Sequence, residues 1–323
     1  MSTRRRLIAT ASSFALAPAI LRAQGQWPDR PVRFIVPFTP GGTTDILGRL
    51  VAEGLARIFG QQFLVDNRPG AGANIGAAEL ARAAPDGYTI GMITVGTHAI
   101  NPALYAKMPF DHLRDFTPIS LVATLPNLLS VHPSVPADSV PALIALAKRD
   151  PGKYTFGSAG AGTSLHLAGE LFNQMAGVQL LHVPYRGGGP LMTDLLAGTV
   201  HMSFSNMPSI LPHVRSGKVR GLAVTSLTRN KETPDLPAIA ETLPGYEATS
   251  WHGVAAPAGL SAALLERLNA AIRQALAMPD IATKIDQAGA TAAPGSPAEF
   301  RRFIVEETAR WAPVVRASGA RVE

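Results

Sequence analysis

The sequence contains no cysteine, and only 6% of its residues are aromatic and 16% charged. The absence of cysteine excludes disulfides, thiolate nucleophiles and zinc–thiolate sites. The fold must therefore be held by its hydrophobic core, and 323 residues are enough for about two domains. Beyond the N-terminal segment, no run approaches the roughly 18 apolar residues of a membrane-spanning helix. We therefore expect the mature chain to be soluble.

The positive charge of the chain is concentrated at its N-terminus. The formal net charge is +6, but residues 1–23 hold four arginines and no acidic residue. The remainder carries 25 basic and 23 acidic residues, which is not the basic surface typical of nucleic-acid-binding proteins. We therefore expect no nucleic-acid partner.

The first 23 residues have the three-part layout of a secretory signal peptide. Arg4, Arg5 and Arg6 precede an apolar stretch from Leu7 to Leu21, and Ala23 offers a small residue for cleavage. The arginines also fit a twin-arginine signal, so both the Sec and the twin-arginine export routes stay open. Either route predicts a periplasmic protein.

Strands and helices alternate in two separate parts of the chain. The pattern predicts a buried strand at Val32–Val36, a glycine-rich loop, and an amphipathic helix over Thr43–Phe59. The same order returns with a strand at 154–156, a loop at 157–162 and a helix at 163–175. Such alternation is typical of mostly parallel sheets covered by helices. Two α/β units are therefore predicted, and the C-terminal helices are expected to pack on the first unit.

One glycine-rich loop in each unit is a candidate ligand site. Pro40–Asp45 and Gly157–Ser164 each follow a strand and open a helix. A helix N-terminus exposes unpaired N–H groups and a partial positive charge, so it holds anions without a basic side chain. Two such loops facing each other, at the strand ends where α/β ligands usually lie, predict an anion site with two helix N-termini. The alternative is that the loops are ordinary helix caps and turns.

Neither loop matches a nucleotide or hydrolase motif. Gly217-Lys218-Val219 lacks the hydroxyl residue that follows the lysine in a Walker A motif, and the 157–164 loop lacks the dinucleotide-binding glycine spacing. The chain has no Gly-x-Ser-x-Gly elbow, so Ser158 is not placed as a hydrolase nucleophile. We expect no cofactor.

Several other polar residues have both a structural and a functional interpretation. His166 and Glu170 lie four apart on one helix face, but without a visible third ligand a surface pair is favoured over a metal site. Asp45 is either a favourable first-turn acid or a ligand contact. His98 follows the third strand, and Tyr185 and Arg186 occupy a similar place in the second unit, so all three could reach a cleft.

At this point the motifs resemble those of a known family. The stretches 30–45, 65–76, 157–170, 183–187 and 250–259 are similar to the Bug receptors, the TctC family of solute-binding proteins from tripartite tricarboxylate transporters. The resemblance implies the type II periplasmic binding protein fold, with two α/β lobes joined by crossover strands and a ligand cleft between them. It places lobe 1 at about 26–124 and 250–323, and lobe 2 at 125–249.

The resemblance also implies a function. A receptor of this family binds a small carboxylate through backbone groups and waters, needs no metal, acts as a monomer, and delivers the ligand to the membrane components of its transporter. The candidate ligand-binding residues are Phe38, Pro40, Gly41, Gly42, Thr43, Thr44, Asp45, Ala73, Thr97, His98, Ser158, Gly160, Gly162, Thr163, Ser164, Tyr185 and Asn206.

Two other functions stay open at this stage. A periplasmic sensor feeding a signalling partner would use the same cleft. An enzyme acting on organic acids could use Asp45, His98 or His166. The absence of a recognisable nucleophile–base pair and the presence of the export signal weaken that interpretation. The sequence does not name the acid, because recognition by the backbone leaves little record in the side chains.

Overall fold

A computed structural model describes residues 27–322 of the protein. The predicted signal peptide, and with it the choice between export routes, lies outside the described residues. Within 27–322, no helix is both long enough and apolar enough to cross a membrane.

The described chain alternates strands and helices through most of its length. The strands are β1 (Val32–Val36), β2 (Phe63–Asn67), β3 (Thr89–Thr94), β4 (Phe116–Val131), β5 (Thr155–Ser158), β6 (Leu181–Pro184), β7 (Met202–Asn206), β8 (Arg220–Val224), β9 (Thr249–Pro257) and β10 (Thr291–Ala292). The α-helices are α1 (Thr43–Phe59), α2 (Asn74–Ala81), α3 (Asn101–Leu104), α4 (Val140–Arg149), α5 (Ser164–Ala176), α6 (Gly188–Ala197), α7 (Met207–Arg215), α8 (Ala262–Leu276), α9 (Pro279–Gln287) and α10 (Pro297–Ser318). Short 3₁₀ turns occupy Ala71–Ala73 and Ile239–Glu241, and a π-helical turn occupies Gly96–Ile100.

Local sequence signals explain where α1 begins and ends. The predicted boundaries, Thr43 and Phe59, are those of the structure. Gly60 ends the helix in the left-handed conformation, with φ at 68°, and its N–H donates to the carbonyl oxygen of Ala56. At the other end Gly42 is extended and forms no side-chain cap.

The strands form a mixed sheet in the order β2-β1-β3-β9-β4-β7-β5-β6, with β8 and β10 both pairing with β4. Two parallel groups lie at its ends: β1 pairs with β2 and β3, and β5 pairs with β6 and β7. We call the part built on the first group the first lobe and the part built on the second group the second lobe. This is the predicted fold, two α/β lobes with a cleft between them.

Two long antiparallel strands connect the lobes. Residues Phe116–Pro126 of β4 pair with β9, whereas Asn127–Val131 pair with β7 and β8 in the second lobe. Residue patterns alone did not locate β4, because Pro118 and Pro126 interrupt it and proline disfavours a central strand. The pairing with β9 shifts register just after Pro118, so the strand accommodates that proline at a bulge.

The C-terminal helices cover the first lobe, as predicted, but α10 also contacts α5 of the second lobe. α8 packs closely against α1, since a β-carbon added at Gly54 would lie 2.5 Å from that of Ala275. On α10, the buried carboxylate of Glu307 accepts hydrogen bonds from the indole nitrogens of Trp251 (3.1 Å) and Trp311 (3.2 Å). Trp251 is therefore a packing residue.

Candidate functional site

A cavity of about 500 Å³, counting space that is open to solvent, lies between the lobes. Its walls are backbone, hydroxyl, amide and apolar groups, and among the described residues that line it none is lysine, arginine, aspartate or glutamate. The lining residues are Phe38, Gly42, Thr43, Thr44, Thr94, Val95, Gly96, Ala159, Thr163, Ser164, Leu165, Gly188, Ser205, Asn206, Ser209, Ser250 and His252.

Four α-helices begin at this cavity. Two are the predicted ones, α1 and α5, and the structure adds α6 and α7, whose first turns contribute Gly188 and Ser209 to the lining. Within the described chain, α1, α6 and α7 have no side-chain hydrogen bond at their N-caps. The N–H groups of their first turns, which Pro190 and Pro208 lack, are therefore not capped by the N-cap side chain and can bind a ligand. Four partial positive charges therefore converge on a cavity to which residues 27–322 contribute no lysine, arginine, aspartate or glutamate side chain.

Asp45 holds the first glycine loop from behind. Its carboxylate accepts from the Gly41 N–H (3.0 Å), from Arg49 Nε (3.0 Å) and from Asn67 Nδ2 (3.0 Å). Burial alone would raise the pKa of Asp45, but the hydrogen bonds from Arg49, Gly41 and Asn67 outweigh it and lower that pKa. Asp45 does not line the cavity, so the structure favours its supporting role over ligand contact.

An amide network fixes the wall of the second lobe. Asn127, at the point where β4 enters that lobe, donates to the carbonyl oxygens of Ala248 (3.0 Å) and Ser164 (3.4 Å). Asn206 Nδ2 in turn donates to Asn127 Oδ1 and to Ser164 Oγ. These buried bonds tie α5, α7 and the crossover strand together, and they leave the cavity-facing groups preorganised.

Thr44 and His252 meet on the opposite wall, with Thr44 Oγ1 3.1 Å from His252 Nε2. Both side chains are buried, and burial lowers the pKa of His252 to about 3. Its Nδ1 has no hydrogen-bond partner among the described residues, so no carboxylate orients the ring. A neutral, weakly basic imidazole of this kind suits hydrogen bonding to a ligand better than proton abstraction.

The cavity continues outward into a wider chamber, since Phe38 and Ala159 line both. Ala73, Gly160 and Tyr185 line the outer chamber, together with the exposed side chain of Arg186. Tyr185 donates to Asp194 Oδ2 at 2.8 Å, and burial together with this bond raises the pKa of Tyr185 to about 12.

The predicted site residues fall into three groups. Phe38, Gly42, Thr43, Thr44, Thr163, Ser164 and Asn206 line the inner cavity, and Ala73, Gly160 and Tyr185 line only the outer chamber. Pro40, Gly41, Asp45, Thr97, His98, Ser158 and Gly162 line neither. Which of them contacts ligand stays a prediction; in the third group, Thr97 and His98 lie in the π-helical turn and the other five lie in the two glycine loops.

His98 illustrates the third group. It is fully buried in the π-helical turn, its Nδ1 lies 2.9 Å from Thr97 Oγ1, and its ring packs edge-on against Phe116 at 4.5 Å. Burial, with a smaller contribution from His112, lowers the pKa of His98 to about 3. The neighbouring Thr94, Val95 and Gly96 line the cavity in its place.

Sequence reasoning missed the contribution of the crossover strand and β7. Ser250 and His252 lie in the family-like stretch 250–259, with Trp251 between them. Because side chains alternate along a strand, a buried Trp251 places Ser250 and His252 together on the other face. The alternation of Ser203 and Ser205 on β7 carries a similar signal.

The lobes touch through glycines. A β-carbon added at Gly188 would lie 3.1 Å from the Gly42 Cα, and one added at Gly189 would lie 2.8 Å from the carbonyl oxygen of Pro40. The first loop therefore rests against the start of α6 with no side chain between them. The structure shows the cleft closed over the cavity.

His166, Glu170 and His182 bring potential metal ligands within 4.8 Å of one another. The sequence offered only the first two, and the fold supplies the third from β6. However, the Gly162 N–H donates to His166 Nδ1 at 3.3 Å. Because Nδ1 accepts this hydrogen bond, the neutral ring carries its proton on Nε2, which lies 3.7 Å from Glu170 Oε1. A protonated ring nitrogen cannot bind a metal. The cluster fits hydrogen bonding better than metal binding.

Comparison with known proteins agrees with this architecture. The family described as "Tripartite tricarboxylate transporter family receptor" matches residues 47–320. Protein BugT of Bordetella pertussis is 38% identical over 299 residues, which is 92% of each chain. The structure of Rpa4515 from R. palustris with adipate has a TM-score of 0.90 and 41% identity, and the match covers 92% of this chain and all of that one.

A second solved structure, MatC (Rpa3494) from Rhodopseudomonas palustris with bound malate, has a TM-score of 0.86 and 31% identity, over 90% of this chain and 100% of that one. The expected resemblance, the two-lobed fold and the family are thus confirmed together. This chain belongs to the tripartite tricarboxylate transporter receptor family.

Proposed function

We propose that this protein is a periplasmic receptor without catalytic activity that captures a small carboxylate and delivers it to the membrane components of a tripartite transporter. The observation that carries the proposal is a cavity between the lobes at which four helices begin, and which no lysine, arginine, aspartate or glutamate of the described residues lines. Relatives solved with adipate and malate support a carboxylate as the ligand.

The energetics of such a site suffice for binding. Each helix N-terminus contributes roughly 0.3–1 kcal/mol toward an anion, and up to ~2 when partly buried. Each hydrogen bond to a charged group contributes about 1.5–3 kcal/mol. Micromolar affinity requires about −8 kcal/mol, so a carboxylate can be held at this affinity without an ion pair.

The lobes are proposed to divide at about 26–124 with 250–323, and 125–249. These limits fall near the point where β4 changes partners and near the start of β9. Residues 1–23 are proposed as the export signal, and the receptor is proposed to act as a monomer.

An enzyme acting on organic acids is the weaker alternative. Thr44 and His252 are the one hydroxyl–imidazole contact among the described residues that line the cavity, and the ring lacks an acidic partner. Such a pair does not make an activated nucleophile. A sensor would use the same cavity and would differ only in the partner that binds the closed form.

Calorimetry against malate, adipate, citrate, glutamate and benzoate tests the proposal. We expect one-to-one binding of at least one acid in the micromolar range or tighter, with recovery of the acid unchanged. Adipamide is the matched control, because it keeps the shape of adipate and removes both charges. Binding of none of the acids, or conversion of a bound acid, would contradict the proposal.

A further inference from the structure

Three aromatic rings stack beneath the second glycine loop, on the side away from the cavity lining. His182 of β6 lies between Phe156 (ring centroids 5.0 Å apart) and His166 of α5 (4.0 Å apart). Neither histidine lines the inner cavity or the outer chamber. The proposed function therefore gives these two side chains no direct role.

Both histidines are hydrogen-bonded to the loop that they support. The Gly162 N–H donates to His166 Nδ1 at 3.3 Å. Ser158 Oγ accepts from the Gly160 N–H (3.2 Å) and donates its one proton to the Gly160 carbonyl oxygen (3.1 Å). His182 Nε2 lies 2.6 Å from the same Oγ, within hydrogen-bond distance. Each ring thus reaches the loop through one particular nitrogen.

The two glycines make this loop flexible, and its internal hydrogen bonds, from Ser158 and Thr163, all converge on Gly160. Gly160 and Gly162 have φ values of +130° and +84°, a region that glycine reaches freely, and fixing such flexible residues costs conformational entropy. Thr163 and Ser164 follow directly and line the cavity. A loop that is already fixed before binding removes this cost from the binding free energy.

The protonation states of the cluster are consistent with these bonds. Burial lowers the pKa of His166 to about 4, and burial together with His166 lowers that of His182 to about 3. Burial also raises the pKa of Glu170, the carboxyl group that faces His166 from the next turn of α5. Both rings are therefore neutral near pH 7.

We propose that His166 and His182 are positioning residues, which hold the Ser158–Gly162 loop in its ligand-binding shape through Nδ1 and Nε2 respectively. The proposal rests on the proposed function, since it assumes that the loop receives a carboxylate. It assigns a role to two residues that the cavity itself does not include.

The two ring nitrogens can be imitated separately. The amide group of asparagine lies near the position of a histidine Nδ1, and that of glutamine near Nε2. We expect H166N and H182Q to bind adipate within about threefold of the wild-type affinity. We expect the exchanged pair, H166Q and H182N, to lose tenfold or more. The two pairs use the same two residue types, so polarity is balanced between them.

A second measurement does not depend on ligand. Amide hydrogen exchange of the peptide that contains residues 157–165 should accelerate in H166Q and H182N, and stay near the wild-type rate in H166N and H182Q. If wild-type protein binds no acid of the panel, the proposed function fails while this exchange experiment still tests the support of the loop. Thermal unfolding of all four variants identifies any that are damaged globally.

Three results would overturn the proposal. Wild-type affinity and exchange in all four variants would show that the loop does not depend on these nitrogens. Equal losses in all four would show that the rings act only by packing. Stoichiometric binding of Zn²⁺ to the wild-type protein that is lost in H182N would identify the cluster as a metal site instead.

Discussion

Closure of the cleft depends on the absence of a single methyl group, at Gly189. Gly189 is the second residue of α6, and its backbone conformation is accessible to alanine. An added β-carbon would lie 2.8 Å from the carbonyl oxygen of Pro40 in the first lobe. Within its own helix the alanine is favourable by about 0.5–1 kcal/mol. G189A therefore disfavours closure without disfavouring the second lobe.

The size of the effect follows from the overlap. A backbone oxygen cannot rotate away as a flexible side chain can, so the lobes must separate by a few tenths of an ångström. Overpacking of this kind costs about 1–3 kcal/mol. Because the cost applies only to the closed form, Kd should rise about 5-fold to 150-fold.

Calorimetry with adipate, or with the tightest acid of the panel, measures this change. T193A is the matched control, because Thr193 is exposed on the same helix and its hydroxyl bonds only to Gly189 of that helix. Thermal unfolding without ligand should show G189A at least as stable as the wild type. A wild-type Kd for G189A would refute the inference that the closed contact is needed for binding.

Three further predictions follow from the site and the core. G42V should abolish binding, because the β-carbon at this position lies 3.5 Å from Gly188 and the valine side chain extends into the space that the ligand needs. R186A, at the exposed rim of the outer chamber, should raise Kd less than tenfold. If calorimetry gives the reverse order, recognition by the backbone is contradicted. His98 and His252 have pKa values of about 3 in the folded protein and about 6.5 when unfolded, so their stabilisation is complete above pH 6.5 and declines as pH falls toward 3. Urea unfolding at pH 7.5 and pH 5 should differ by about 2 kcal/mol for each of these two histidines, and His166 and His182 should add to the difference in the same direction. Equal stabilities would show that none of the four is buried in the neutral form. Small-angle scattering should give a smaller radius of gyration with saturating ligand than without it, and an unchanged profile would exclude hinge closure.

The sequence was sufficient to predict local structure wherever a hydrophobic pattern or a capping residue determines it. The apolar face of α1 and Gly60 placed both ends of that helix, and the glycine loops at Pro40–Asp45 and Gly157–Ser164 were placed at their helix N-termini. These features depend on neighbours within a few residues, so periodicity and capping reveal them. The crossover strand β4 did not stand out, because Pro118 and Pro126 conceal its strand pattern until its bulged pairing with β9 is known.

The tertiary structure decided which groups face the ligand. Sequence indicated two helix N-termini, and only the fold showed that α6 and α7 also begin at the cavity. In the tertiary structure His98 lies in the core, His252 lies on the cavity wall, and His182 of β6 packs against His166 of α5. These are contacts between residues far apart in the chain. Their geometry depends on how strands and helices pack. Periodicity and capping depend only on neighbouring residues, so they do not predict that packing.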